Sequence, residues 1–146
     1  MPTTTATITL SSSDLLTDNL SLSSTMTLYQ DGTTATGLDE VTYSRHNIPT
    51  GTNFDLIPES AALTEDASYV YIANKSTDVT YYVIISINDE VIGRLYAGDW
   101  MFMPWDCDLS AAANDSSIEI QAYTGENIIE HALFHNGETL LTAADS

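Results

Sequence analysis

The sequence predicts an all-β protein, an antiparallel β-sandwich or jelly roll with an extended N-terminal arm. Three observations carry that prediction. Apolar and polar residues alternate through most of the chain, while helical periodicity is scarce. Thr, Tyr, Val and Ile, which suit a pleated and half-buried surface, dominate the alternating runs. Turn residues interrupt those runs at short intervals, giving about eight short strands, the pattern of a sandwich.

Residues 1–18 read as the arm, because "TATITL" alternates but runs into the loop-like "SSSDLLTDN". The sandwich domain is expected over 19–136. Its first strand, "LSLSSTMTL", places Leu20, Leu22, Met26 and Leu28 on one side, with Ser and Thr opposite. "EVTYSRHN" alternates through Val41, Tyr43 and Arg45, and "NFDLIP" is a short strand closed by Pro58. The stretch Pro58–Ser68 reads as a loop. "YVYIAN", "TYYVIISIN", "EVIGRLYA" and "DWMFMPW" follow, then the polar loop "DCDLSAAANDSS" and the strands "IEIQAYT" and "NIIEHALFHN". Residues 137–146 form a tail with little to bury.

Asn88-Asp89 and Gly98-Asp99 suit two-residue hairpin turns, the second a type II′ turn with Gly first. Counting outward pairs Ile87 with Glu90 and Ala97 with Trp100, a three-stranded meander. One of its sides would carry Val83, Ile85, Ile92, Tyr96, Met101, Met103 and Trp105. The other would carry Tyr82, Ile84, Leu95, Trp100, Phe102 and Pro104. Both are apolar, and a sandwich covers only one. The second side needs the N-terminal segment, the Pro58–Ser68 loop or another protein chain, or else belongs to a deep core under local loops. Tyr82, Leu95, Trp100 and Phe102 are therefore the candidate protein-interface residues. Wetting such side chains forfeits ~1.5–3 kcal/mol each.

The 146 residues fit one domain and need no disulfide or metal staple. Twenty-one acidic residues against three basic ones (Arg45, Lys75, Arg94) give a net charge of −18. That balance excludes phosphate-driven nucleic-acid binding and attraction to anionic membranes. It keeps a crowded protein soluble and suits salty water, where screening is short-ranged. Cys107 is the single cysteine, so no internal disulfide forms. No signal peptide and no run of ~20 apolar residues is legible, so folding is expected in a cytoplasm. The sequons at Asn19, Asn74 and Asn114 are then without meaning.

No set of residues makes a convincing active site. His131 and His135 stand four apart, but on a strand they are ~13 Å apart, too far to share zinc. The metalloprotease motif also needs Glu where Ala132 stands. Asp106, Cys107 and Asp108 suggest a calcium loop, yet its Gly and Glu are missing, and the neighbouring acids make Cys107 a poor nucleophile. With 21 acids, some glycosidase-like pair arises by chance. No phosphate loop, nucleophile elbow or cofactor fingerprint is present. Neither a metal, a cofactor nor enzymatic activity is expected. Tyr29, Tyr69, Tyr71, Tyr123 and the tryptophans are able to stack on sugar rings, but most lie on alternating strands among aliphatic neighbours.

"ITLSSSDLLTDNLSLSSTMTL", "YVYIANKSTDVTYYVIISIN" and above all "EVIGRLYAGDWMFMPW" resemble small virion structural proteins of tailed bacteriophages, especially those of cyanobacteria. The likeness spans residues 6 to 136. It implies a β-sandwich present in many copies on the particle, as a head decoration or cement protein bound to the major capsid protein. A tail, neck or fibre component and a carbohydrate-binding module are the alternatives. The family offers no catalytic residues. Its closing strand is similar to "IIEHALFHNG", against a helical zinc pair. Strong acidity suits the outside of a particle, assembled in the host cytoplasm. The spare apolar side suits a homo-oligomer closed by symmetry, such as a trimeric knob or ring.

Overall fold

A computed structural model describes residues 3–15, 17–29, 34, 37–38, 40–57, 67–87, 89–105 and 118–135. It is all β among them. The strands are β1 (Thr4–Ser12), β2 (Leu20–Leu28), β3 (Glu40–Ile48), β4 (Asn53–Ile57), β5 (Ala67–Asn74), β6 (Tyr82–Ile87), β7 (Glu90–Tyr96), β8 (Trp100–Pro104), β9 (Ile118–Thr124) and β10 (Asn127–His135). Strands β3 to β10 form two four-stranded antiparallel sheets, ordered β3-β10-β5-β8 and β4-β9-β6-β7. Within this body only β6 and β7 are consecutive strands paired in the same sheet. Every other step crosses between sheets, the wrapping of a jelly roll.

The alternation in the sequence becomes the core. Ile48, Val70, Ile72, Ile129 and Leu133 project from the first sheet to meet Leu56, Ile118, Ile120, Ala122, Val83, Ile85 and Leu95 from the second. Met101 and Met103 pack against this cluster from β8, and Trp105 just beyond is buried in it. Strands β1 and β2 form a separate antiparallel hairpin with nine residue pairs, from Thr4↔Leu28 to Ser12↔Leu20. Its root is fixed by Leu28 and Leu38, both almost fully buried, and by a bridge between Tyr29 and Gly37. The expected arm is thus a strand paired with β2, and positions 18 and 19 lie in the turn between them.

Two expectations for the meander are corrected. Asn88 lies outside the described residues, but Asp89 has φ 61° and Ile87 does oppose Glu90, as counting predicts. Ser86 then opposes Val91 while Ile85 opposes Gly93, so Ile92 is an extra, bulged residue. A one-residue slip reverses the facing of every later side chain. Leu95 consequently sits opposite Val83, in the core and 6% exposed, and Tyr96 lies on the other side with Tyr82.

The second correction concerns Gly98-Asp99. Asp99 N–H donates to Tyr96 C=O (2.8 Å), and Gly98, with φ 92°, is the second central residue. This is a type II turn on Ala97-Gly98. It forms a corner, not a hairpin. Gly98 N–H donates to Asn74 C=O (2.8 Å) and Asn74 N–H to Asp99 C=O (2.9 Å), which ties the corner to the end of β5. Strand β8 therefore leaves β7 and pairs with β5 in the opposite sheet.

Candidate functional site

The outward side of β3-β10-β5-β8 is built from the residues that alternate with its core. The register stacks them in three cross-strand rows: Arg45–Glu130–Ala73–Trp100, Tyr43–Ala132–Tyr71–Phe102 and Val41–Phe134–Tyr69–Pro104. Six aromatic rings thus share one sheet face. Tyr69 and Phe102 stack at 5.6 Å, Tyr71 tilts against Trp100 at 6.4 Å, and Phe102 meets Phe134 edge-on at 6.2 Å. Trp100 is 55% exposed and Tyr43 and Val41 are similarly open.

The only charges in these rows neutralise each other. Arg45 donates to the Glu130 carboxylate at 2.8 Å, and Tyr43 hydrogen-bonds the same carboxylate. Those two bonds, Tyr43 first, hold Glu130 below the usual carboxylate range. The same carboxylate raises the Tyr43 phenol and the Arg45 guanidinium above their ordinary values.

The hairpin overhangs the β5–β8 half of this face. Pairing puts Ala6, Ile8 and Leu10 beside Met26, Ser24 and Leu22 on one side, and Thr5, Thr7, Thr9 and Ser11 beside Thr27, Thr25, Ser23 and Ser21 on the other. The apolar side faces the sheet across an open cleft of about 470 Å³, lined by Ala6, Ile8, Met26, Tyr71, Trp100 and Phe102 among others. The other side is hydroxylated, with Thr7 Oγ1 hydrogen-bonded to Thr25 Oγ1 at 2.9 Å.

The four interface candidates separate into three places. Trp100 and Phe102 share the outer face of β8, as counting predicts. Leu95 is in the core. Tyr82 is on the outer side of the second sheet, 9% exposed beneath Tyr96 (4.9 Å), Tyr123 (5.5 Å) and the Arg94 guanidinium (4.8 Å). No protein-family model and no curated protein matches this chain. The fold and the two outer faces therefore stand on the chain's own chemistry.

Two buried polar features escape sequence reasoning. Asn74 and Asn127 are both fully buried. Asn74 Nδ2 donates to Leu95 C=O (2.9 Å) and to Asn127 Oδ1 (3.0 Å), and its Oδ1 accepts from Ser76 N–H (3.0 Å). Asn127 Nδ2 reaches Thr124 C=O and Gly125 C=O. The pair clasps the strand ends at one corner of the sandwich, where "IAN" closes β5 and "GEN" opens β10.

The second feature is a stacked imidazole pair, His46 and His131, with centroids 5.2 Å apart and planes at 12°, between the two sheets. His46 also lies 4.7 Å from the Phe54 ring. His46 Nε2 and His131 Nδ1 are buried without a hydrogen-bond partner among the described residues. Desolvation, and then the nearby His46, push His131 down to about 4. No group of three or more His, Cys, Asp or Glu able to hold a metal occurs among the described residues. Cys107 and the loop around it lie outside them.

Proposed function

We propose that this chain is a non-enzymatic structural subunit that assembles as a homo-oligomer on a virion, as a capsid decoration or cement protein. The observation that carries the reading is the outer face of β3-β10-β5-β8, with six aromatic rings and a single internally paired charge couple. Two copies carrying −18 each repel wherever acid meets acid. This face is where they meet without that penalty. Large side chains such as Trp100 gain ~1.5–3 kcal/mol each on full burial.

The virion setting rests on the likeness of residues Glu90–Trp105 to tailed-phage structural proteins. In that setting each copy bridges neighbours of the major capsid protein, and many weak contacts reinforce the shell through avidity. Particles stripped of the protein are expected to lose heat or pressure resistance and to regain it on adding it back. Unchanged resistance refutes cementing. Light scattering on the full chain tests assembly itself, and a mass of 15.9 kDa at high concentration refutes it.

A second reading, display of a carbohydrate-binding surface, is favoured by the Tyr82, Tyr96, Tyr123 and Arg94 cluster on the opposite sheet. Tyr123 offers an open ring face for stacking on a pyranose. Glycan-array binding that survives Tyr123→Ala rejects it.

A further inference from the structure

The hairpin is far longer than the contact it makes with its own sandwich. Each strand has nine residues, a reach of ~30 Å. The part that borders the cleft over the parent sheet lies around Ala6, Ile8 and Met26. The apolar side nevertheless continues outward through Leu10 and Leu22, which are paired and half exposed.

Strands β1 and β2 contain no charged side chain, in a chain with 21 acids. The opposite side of the hairpin is wholly Ser and Thr, content in water. An uncharged ribbon, greasy on one side and hydroxylated on the other, is shaped to lie on a sheet. The sheet across its cleft supplies the chemistry it prefers: uncharged aromatic rings. The same face has a second half, Val41, Tyr43 and Phe134, outside the lining of that cleft, with Val41 and Tyr43 half exposed among the described residues.

We infer that the hairpin is a donated arm: its outer stripe, Leu10 and Leu22, lies across the β3–β10 half of the aromatic face of a second copy. The inference deepens the oligomer reading above and rests on it. The hairpin's own apolar side already faces these rings, and charge leaves the way open for the same pairing between copies. Donor stripe and acceptor rows are both free of net charge in a molecule of −18, so a second copy is able to approach along this path. Donor and acceptor are different patches, so two copies either exchange arms about a two-fold axis or pass them head-to-tail around a ring.

Complementation tests it. Leu22→Asp spoils the arm and leaves the face intact, whereas Val41→Asp spoils the face and leaves the arm intact. Both sites are half exposed, and circular dichroism and melting verify folding. By sedimentation velocity each variant alone is expected to be monomeric, while an equimolar mixture forms a 1:1 species of twice the 15.9 kDa chain mass through one intact arm-to-face contact. Wild-type mass in Leu22→Asp overturns the inference and leaves the oligomer reading standing. A mixture that stays monomeric also overturns it, because face-to-face or arm-to-arm contacts are not restored by mixing. A monomeric wild-type protein overturns both.

Discussion

His131 makes the sandwich sensitive to acid in a defined window. Its ring is 6% exposed, stacked on His46 between the sheets, and its pKa falls from 6.5 to about 4. The folded protein thus refuses a proton that the unfolded chain accepts. Stability from this group is complete above pH 6.5 and is lost as the pH falls to about 4, with a slope of ~1.4 kcal/mol per pH unit. The shift corresponds to about 3 kcal/mol in all, a large share of the 5–15 kcal/mol typical of a domain.

Carboxylates act in a lower range. Glu130, depressed by Tyr43 and Arg45, and Asp78, depressed by Thr80, support the fold above their ordinary values of 4.5 and 3.8 and lose that support below them. Between pH 6.5 and 4.5 the effect of His131 therefore stands apart from these two. Urea unfolding at pH 7.0 and 4.5 should show wild type losing about 2–3 kcal/mol more than His131→Leu. Parallel pH profiles for the two proteins refute the reasoning, as does an NMR titration in which the His131 ring protonates near 6.5.

Leu95→Ala should cost about 2–5 kcal/mol in denaturant unfolding, because the bulge at Ile92 turns this side chain into the core. The opposite prediction, a near-neutral surface change, follows if β7 keeps an unbulged register. Asn74→Ala removes both Nδ2 bonds and leaves Leu95 C=O and Asn127 Oδ1 with one partner fewer each, so a loss of about 2–4 kcal/mol is expected by the same assay. Gly125→Ala forces a Cβ to 2.3 Å from the Tyr81 ring at φ 68°, and melting should drop by several degrees. A Gly125→Ala protein with unchanged melting shows that Tyr81 swings clear and that the turn tolerates a side chain.

The fold was legible because the signal for strands is local. Alternation in "IEIQAYT" and "YVYIAN" records which side of each strand meets oil and which meets water, and both runs are strands as read. Which strand neighbours which is not local information. Gly98-Asp99 reads equally well as a hairpin or a corner, and the hydrogen bonds from distant Asn74 decide it. The bulge at Ile92 is likewise silent, since a single extra residue leaves composition and spacing unchanged while reversing the facing of Leu95. Trp100 and Phe102 kept a common face because they lie on one strand. Tyr82 and Leu95 separated from them because their grouping depended on register across two turns. Asn74 was visible only as part of a sequon, and its burial depends on partners 21 and 53 residues away.

The margins of the two sheets bear on how copies add to one another. Strand β7 is kinked by its extra residue, β8 stops at Pro104, and β3 carries Arg45, each a known obstacle to lateral stacking. These three of the four margins therefore resist growth strand by strand. The β1–β2 ribbon has no such guard: regular, unbulged, free of proline and charge on both rims. Among the described strands, this ribbon is the one whose rims are open to a further strand.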